Sequence, residues 1–329
     1  VKNIEQKKGV WNIEVMNTIS NETKYVQAKV VVNATGPWVD NFLKNHSKQT
    51  KIDNVRLVKG SHIVVKKLFN HSYAYIFQNS DGRVFFAVPW ENEFTFIGTT
   101  DVDFKDNLDS FSASDDEINY LCKSANQYFR SGISSNDVIK HWSGVRPLYQ
   151  DGSIKAQKAS RDYTIKIDSQ DNNSALINIF GGKMTTFRQL SEEVTNKVGS
   201  ILGEKKSPWT SDVHLPGGDF SLTEKTKIVD GLAKKYDYLD VDYIHRLFSL
   251  YGTKVEYILK NVSSIDDLGL HFGMDLYQVE VDYLMQEEFA LYPEDVLERR
   301  TKLYLFLDYD KIENLDNYMQ KKRKDRLKI

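Results

Sequence analysis

The chain has 329 residues, 44 of them Lys or Arg and 46 Asp or Glu, for a formal charge of −2; so even a balance supplies no field for a polyanion and argues against a nucleic-acid partner. Hydrophobic residues make up 40% of the chain, aromatic ones 12% and charged ones 27%, the composition of a folded protein and not a disordered one. The single cysteine, Cys122, excludes an internal disulfide and a cysteine-rich zinc site and fits a reducing compartment, and no apolar run is long enough to cross a bilayer.

In chain order, residues 1–9 (VKNIEQKKG) lack the apolar stretch of a signal peptide and read as the approach to a strand already inside a fold. The opening valine, where a methionine would stand, points the same way. Residues 10–18 and 24–33 are β-type runs around a Ser-Asn-Glu turn, and the second ends in Ala34-Thr35-Gly36-Pro37. Further strands are expected at 54–65, 73–78, 84–88 and 94–99, with Asp81-Gly82 as a hairpin turn. Together these make a mixed or antiparallel sheet.

Ser114-Asp115-Asp116-Glu117 has capping-box spacing, and Ile118, Leu121, Cys122, Ala125 and Phe129 follow at helical intervals, so the spacing predicts a helix over 115–130. Strands at 138–147, 162–168 and 176–180 lead to a helix opening at Thr185 or Thr186 and stopped by Gly203. Residues 1–203 thus form a first domain. Residues 204–220 have linker composition, and 221–329 read as an all-α domain, with a second capping box at Ser221 and Glu224 and helical patterns at 222–235, 240–249, 253–260, 275–289 and 293–307.

Four features could carry chemistry. The strand Val30–Asn33 ending in Ala34, Thr35 and Gly36 lets backbone approach a dinucleotide at a strand's carboxyl end, or is a plain strand-to-helix turn. Phe180-Gly181-Gly182-Lys183-Met184-Thr185-Thr186 opens a helix, where glycines expose amides at the positive end of the helix dipole to a phosphate or an electron-rich flavin carbonyl; the bland alternative is a tight turn with a solvated Lys183. His62, in Lys59-Gly60-Ser61-His62, has an ordinary pKa of about 6.5 and can accept a proton at neutral pH, or is structural. Arg146, in Ser143-Gly144-Val145-Arg146-Pro147-Leu148, offers a planar fork for phosphate or carboxylate, or is a surface charge. The histidines show no H-E-x-x-H spacing, and neither G-x-S-x-G nor G-x-G-x-x-G occurs, which removes the warrant for metal-hydrolase and serine-hydrolase readings.

In order and spacing the blocks VVNATGPWVD (31–40), RLVKGSHIVV (56–65), PWE with IGTTD (89–91, 97–101), SGVRPL (143–148), FGGKMTTFRQL (180–190), LGLHFGMDLY (268–277) and YPEDVLERRTKLYL (292–305) resemble the FAD-dependent glycerol-3-phosphate dehydrogenases of the D-amino-acid-oxidase-like flavoproteins. The resemblance implies an α/β (α+β) FAD-dependent oxidoreductase fold with a mixed substrate-domain sheet, followed by an all-α domain. It also implies oxidation of sn-glycerol 3-phosphate to dihydroxyacetone phosphate, with FAD as hydride acceptor and a quinone as electron sink. His62 would then face the C2 hydroxyl, Arg146 and Lys183 would hold the substrate, Gly181, Gly182, Lys183, Met184 and Thr185 would lie by the flavin ring, and Ala34, Thr35 and Gly36 by its nucleotide. The family's opening strand and G-x-G-x-x-G turn are absent from this sequence, so the fold is expected to be incomplete at its N-terminus. No metal is implied.

Two alternatives accompany this reading. One is an oxidase that uses the same chemistry with oxygen as acceptor; the other is an inactive fragment acting only through its helical domain. Quinone reduction implies peripheral attachment to the cytoplasmic face of the cell membrane, and a homodimer is a further expectation. The basic run Lys321–Lys328 either meets anionic lipid or is a solvated helix end.

Overall fold

The computed structural model describes residues 1–46, 53–150, 161–171, 174–204 and 206–326, which separate into two compact units, Val1–Ser211 and Asp212–Ile329. The break falls within the glycine- and proline-containing segment 204–220. Residues beyond it pack with the helices: Thr253 N donates to Gly217 O at 3.0 Å.

The first unit holds three sheets. β1 (Asn3–Lys7), β2 (Val10–Met16) and β3 (Thr23–Ala28) form an antiparallel meander. The uninterrupted run 24–33 divides at Lys29, because β4 (Val30–Asn33) leaves that meander to pair in parallel with a strand from far along the chain, β12 (Ser174–Phe180), which also takes β11 (Thr164–Asp171) antiparallel. The buried Trp11 indole donates to Ala175 O at 3.0 Å and ties the meander to β12. Helix α1 (Val39–His46) covers this junction with Val39 and Leu43. Its buried Asp40 carboxylate accepts from the Asn54 and Val55 amides, which fixes where the next strand begins.

That strand, β5 (Val55–Lys66), organises the third sheet, six strands in the order β10 (Lys140–Tyr149), β5, β8 (Phe94–Gly98), β7 (Val84–Trp90) and β6 (Tyr75–Gln78), with β9 (Val102–Asp103) also on β5. Every pairing is antiparallel. Alternation along a strand gives each sheet two faces. On one, Ile63, Val65, Phe85, Ala87 and Ile97 bury against Ile118, Leu121, Cys122 and Ala125 of helix α2 (Asp115–Asn126). The expected capping box of α2 is present, with Glu117 N donating to Ser114 Oγ and Ser114 N to the Glu117 carboxylate, although the helix ends at Asn126, four residues short of expectation. The other face carries Gly60, His62, Phe96, Gly98, Trp142 and Arg146.

Helix α3 (Phe187–Leu202) follows β12 through a 3-10 turn, Met184–Thr186, and stops at Gly203, whose φ of +79° suits glycine. In the second unit, α4 (Lys225–Lys235), α5 (Val241–Tyr251), the short α6 (Val255–Ile258), α7 (Gln278–Glu287) and α8 (Tyr309–Arg326) share one core centred on Ile244, Leu247, Leu276, Leu284 and Leu315. The expected helix over 293–307 is instead a π-helical turn, Asp295–Arg300, and a 3-10 turn, Leu303–Leu305. Thr301 donates from both its amide and its hydroxyl to Val296 O, five residues back, and Arg300 takes up Asp295 O, so the ordinary helical ladder is lost. Of the basic run on α8, Lys322 pairs with Asp282 at 3.2 Å and Arg323 donates to Leu291 O at 2.8 Å, which holds both cations within this unit.

Candidate active site

His62 and Arg146 come from antiparallel neighbours. Trp142 is the cross-strand partner of His62, Gly144 of Gly60 and Arg146 of Val58, so these side chains share the face turned away from α2. Both candidate side chains lie flat along the sheet, and glycine makes that possible. A Cβ on Gly98 would stand 2.0 Å from His62 Cδ2, and one on Gly60 would stand 2.4 Å from Arg146 Nη1 and 2.6 Å from Nη2. The His62 ring stacks on Phe96 with centroids 4.8 Å apart and planes 8° from parallel; Trp90 and Trp142 complete the aromatic wall around Phe96.

Burial, with the nearby Arg146 charge as a second cause, lowers the His62 pKa to about 4. At neutral pH the imidazole is therefore uncharged, and neither ring nitrogen has a hydrogen-bond partner among the described residues. A neutral, unengaged imidazole can accept a proton. The Arg146 guanidinium, 32% exposed, donates to Asp101 at 3.1 Å and to Thr99 Oγ1 at 3.1 Å. Burial lowers its pKa, Asp101 opposes that shift, and the positive charge of Arg161 adds to it.

The glycine turns lie side by side. Parallel pairing of β4 with β12 sets Asn33 opposite Asn178, so Ala34-Thr35-Gly36 and Gly181-Gly182-Lys183 leave the carboxyl ends of adjacent strands. Asn33 Nδ2 donates to Asn178 Oδ1 at 2.9 Å, and Thr35 Oγ1 to Asn33 Oδ1 at 2.7 Å, which fixes the two turns relative to each other. Gly36, Gly181 and Gly182 have φ of +57°, +73° and +104°, conformations that side chains rarely adopt. A Cβ on Gly36 would enter open space, whereas one on Gly181 would stand 2.9 Å from Asp162 O. The Lys183 side chain does not cap the Met184–Thr186 turn that follows it, and Met184 is 88% exposed. Backbone laid bare at the carboxyl ends of parallel strands, beside the start of a sixteen-residue helix, fits a phosphate-bearing, electron-rich cofactor such as FAD.

Lys183 does not touch Arg146. It pairs with Asp162 at 3.4 Å on the surface, while Gly181 packs against Pro147 and Tyr149, immediately beyond Arg146 on β10. Asp162 pairs with Lys183, and the neighbouring Arg161 acts on Arg146 through its charge. Sequence reading missed Arg161, which lies in a polar stretch without periodicity, and gave no role to Thr99 and Asp101, which follow β8. Among the described residues no group of His, Cys, Asp and Glu is arranged to hold a metal ion.

Comparison with known proteins accords with this geometry. Residues 1–180 match the family described as FAD dependent oxidoreductase, and residues 208–321 match the C-terminal domain of alpha-glycerophosphate oxidase. D-erythritol 1-phosphate dehydrogenase of Brucella abortus is 37% identical over 307 residues, 93% of this chain and 61% of that protein. Glycerol-3-phosphate dehydrogenase of Pseudomonas aeruginosa is 36% identical over 323 residues, 98% of this chain and 62% of that protein. The solved structure of glycerol-3-phosphate dehydrogenase from Bacillus halodurans, complexed with FAD, superposes with a TM-score of 0.79 at 29% identity and covers 93% of this chain and 60% of that one. The chain thus spans about three fifths of the length of these relatives. With its sheets, its helical second unit and its glycine turns, it belongs to the FAD-dependent oxidoreductase family and carries the C-terminal domain found in alpha-glycerophosphate oxidase.

Proposed function

We propose that the protein is an FAD-dependent dehydrogenase that oxidises sn-glycerol 3-phosphate to dihydroxyacetone phosphate. The observation that carries this reading is a neutral His62, without a hydrogen-bond partner among the described residues, on the same sheet face as the Arg146 guanidinium. A secondary alcohol is oxidised by loss of its hydroxyl proton and of the C2 hydrogen with its electron pair. His62 takes the proton on its free imidazole nitrogen. Arg146 and Arg161 hold the phosphate dianion, which orients C2 and its hydroxyl towards His62. FAD, when bound, supplies the acceptor for the C2 hydride. Gly181, Gly182, Lys183, Met184 and Thr185 would hold its ring and Ala34, Thr35 and Gly36 its nucleotide, with the dipole of α3 favouring negative charge on the reduced ring.

Names of relatives support the substrate class: the P. aeruginosa protein above and one from Escherichia coli, 34% identical over 98% of this chain, are glycerol-3-phosphate dehydrogenases. The test is anaerobic mixing of the intact, flavin-loaded protein with sn-glycerol 3-phosphate. Stoichiometric bleaching of the flavin is expected, and an unbleached flavin, as an inactive fragment would give, overturns the reading. A second reading takes a four-carbon substrate, because the B. abortus relative is as similar and bears the name D-erythritol 1-phosphate dehydrogenase; the ratio of kcat/KM for the two phosphates decides. As electron acceptor we propose a quinone, reached by peripheral attachment to the cytoplasmic face of the cell membrane, with the protein acting as a homodimer. Stoichiometric peroxide from oxygen, with no reduction of quinone analogues, would identify an oxidase instead.

A further inference from the structure

We infer that Asp101 is a positioning residue for substrate binding, which aims the Arg146 guanidinium at the phosphate by clasping it, with Thr99, along one side. This rests on the reading of Arg146 as the phosphate-binding cation. The Asp101 side chain is only 13% exposed and holds Arg146 Nη1 at 3.1 Å, while Thr99 Oγ1 accepts from Nη2 at 3.1 Å. Among the described residues these contacts engage two of the five N–H donors of the guanidinium, and the other three have no partner there.

The need for a clasp follows from the surroundings. Gly60 offers the guanidinium a flat floor with no side chain to hold it sideways. Unheld, a long arginine would spread over several rotamers, and each phosphate bound would have to order it again. Asp101 removes that cost beforehand.

The clasp is itself anchored. Between Thr99 and Asp101, the Thr100 hydroxyl donates to the buried Glu117 carboxylate at 2.8 Å and accepts from Ser61 N at 2.9 Å. Ser61 Oγ also donates to Glu117, at 2.8 Å, and Lys59 pairs with it at 2.8 Å. Immediately beyond, Val102 and Asp103 pair with Lys59 and Val58 of β5, and Arg56 binds Asp103 through two nitrogens. Asp101 therefore sits on a crossing of the chain fixed to β5 on both sides, a rigid mount for the residue that holds Arg146.

The experiment compares Asp101→Ala, Asp101→Asn and Thr99→Val with the parent in the intact, flavin-loaded protein. Asp101→Ala is expected to raise KM for sn-glycerol 3-phosphate about tenfold while kcat falls less than about threefold, because the lost contact orients the phosphate and not the reacting carbon. Asp101→Asn keeps an oxygen that accepts from Nη1 and is expected to restore KM to within about threefold of the parent. Flavin content and Tm report folding. If Asp101→Ala does not fold, Thr99→Val must still raise KM about threefold; an unchanged KM overturns the inference. So does an unchanged KM in a folded Asp101→Ala, or an Asn variant as impaired as Ala, which would assign the effect to charge and not to aim. Inorganic phosphate binding, measured by calorimetry, separates this inference from the proposed reaction. A parent inert towards glycerol phosphate overturns the reaction alone if its phosphate affinity still drops about tenfold in Asp101→Ala, and an equal affinity overturns the clasp.

Discussion

Gly98→Ala tests the proposed base directly, because it reaches His62 without altering it. Gly98 is the cross-strand partner of His62. The new methyl would lie 2.0 Å from Cδ2, 2.6 Å from Cγ and 2.8 Å from Nε2, against the 3.4 Å at which ordinary van der Waals contact begins. The imidazole must retreat by about 1.4 Å at its nearest atom. Phe96, stacked on the ring at 4.8 Å, closes one direction of escape, and β8 itself is an internal strand that cannot give. A displacement of about 1 Å in a reacting group costs on the order of 100-fold in rate. Flavin reduction by sn-glycerol 3-phosphate in a single-turnover, stopped-flow experiment is therefore expected to slow about 100-fold, with flavin content retained and KM changed far less than the rate. A variant that reduces its flavin within about threefold of the parent rate would refute the assignment of His62 as base.

The remaining predictions concern protonation and stability. Because burial and Arg146 hold the His62 pKa at about 4, the free protein keeps its base unprotonated down to that pH; the acid limb of kcat/KM should fall below pH 5, and a midpoint at the ordinary value near 6.5 would count against the reading. Glu117→Ala leaves Lys59, 13% exposed, without its carboxylate and strands Ser61 and Thr100, so denaturant unfolding should show a loss of about 3–5 kcal/mol. Burial alone would raise the Glu117 pKa, but Lys59 and the hydroxyl and amide donors overcome it and bring it to about 2; a folded pKa below the unfolded one means that this contribution is present above pH 4.5 and is lost as pH falls towards 2. In the helical unit, Glu280 is wholly buried and accepts from Arg246 at 2.7 Å and from Tyr251 at 2.7 Å. Glu280→Ala should likewise cost about 3–5 kcal/mol, read as a drop in Tm, whereas Lys235→Ala, which breaks an ion pair exposed on both sides, should change it little.

Much of the candidate site was legible because its proposed chemistry resides in residue types with few other uses at strand ends. His62, Arg146 and the Gly181-Gly182 turn stand out against apolar strands, and their order along the chain carried the resemblance. Asp101 and Thr99 did not stand out, because their part depends on β8 lying beside β5, a pairing across more than thirty residues that no local pattern announces. Arg161 was hidden for the same reason: its relation to Arg146 exists only once β11 and β12 return the chain to β10. In the fold, capping boxes at Ser114 and Ser221 and the Gly203 stop were read correctly because each is a local hydrogen-bond or φ requirement. The split of 24–33 into two sheets was not, since Lys29 carries no turn signal and only the distant β12 draws Val30–Asn33 away. The π-turn at 295–300 escaped for a similar reason, its cause being the grip of Arg300 on Glu288 O and Asp295 O.

The glycines explain why the site has the shape it has. On an ordinary sheet, side chains stand roughly perpendicular to the surface, and a histidine and an arginine on neighbouring strands would form a wall. With Gly60 and Gly98 beneath them, Arg146 and His62 lie down along the sheet instead, and the face becomes a shallow floor with an imidazole and a guanidinium set into it. Lying flat brings the guanidinium within reach of Thr99 and Asp101 and places its charge near enough to the imidazole to help keep it neutral. Adding a methyl at either glycine would therefore change geometry and protonation together. Gly60→Ala, by lifting Arg146, should weaken phosphate binding and at the same time move the acid limb of kcat/KM upward, because the charge proposed to bind phosphate also lowers the His62 pKa.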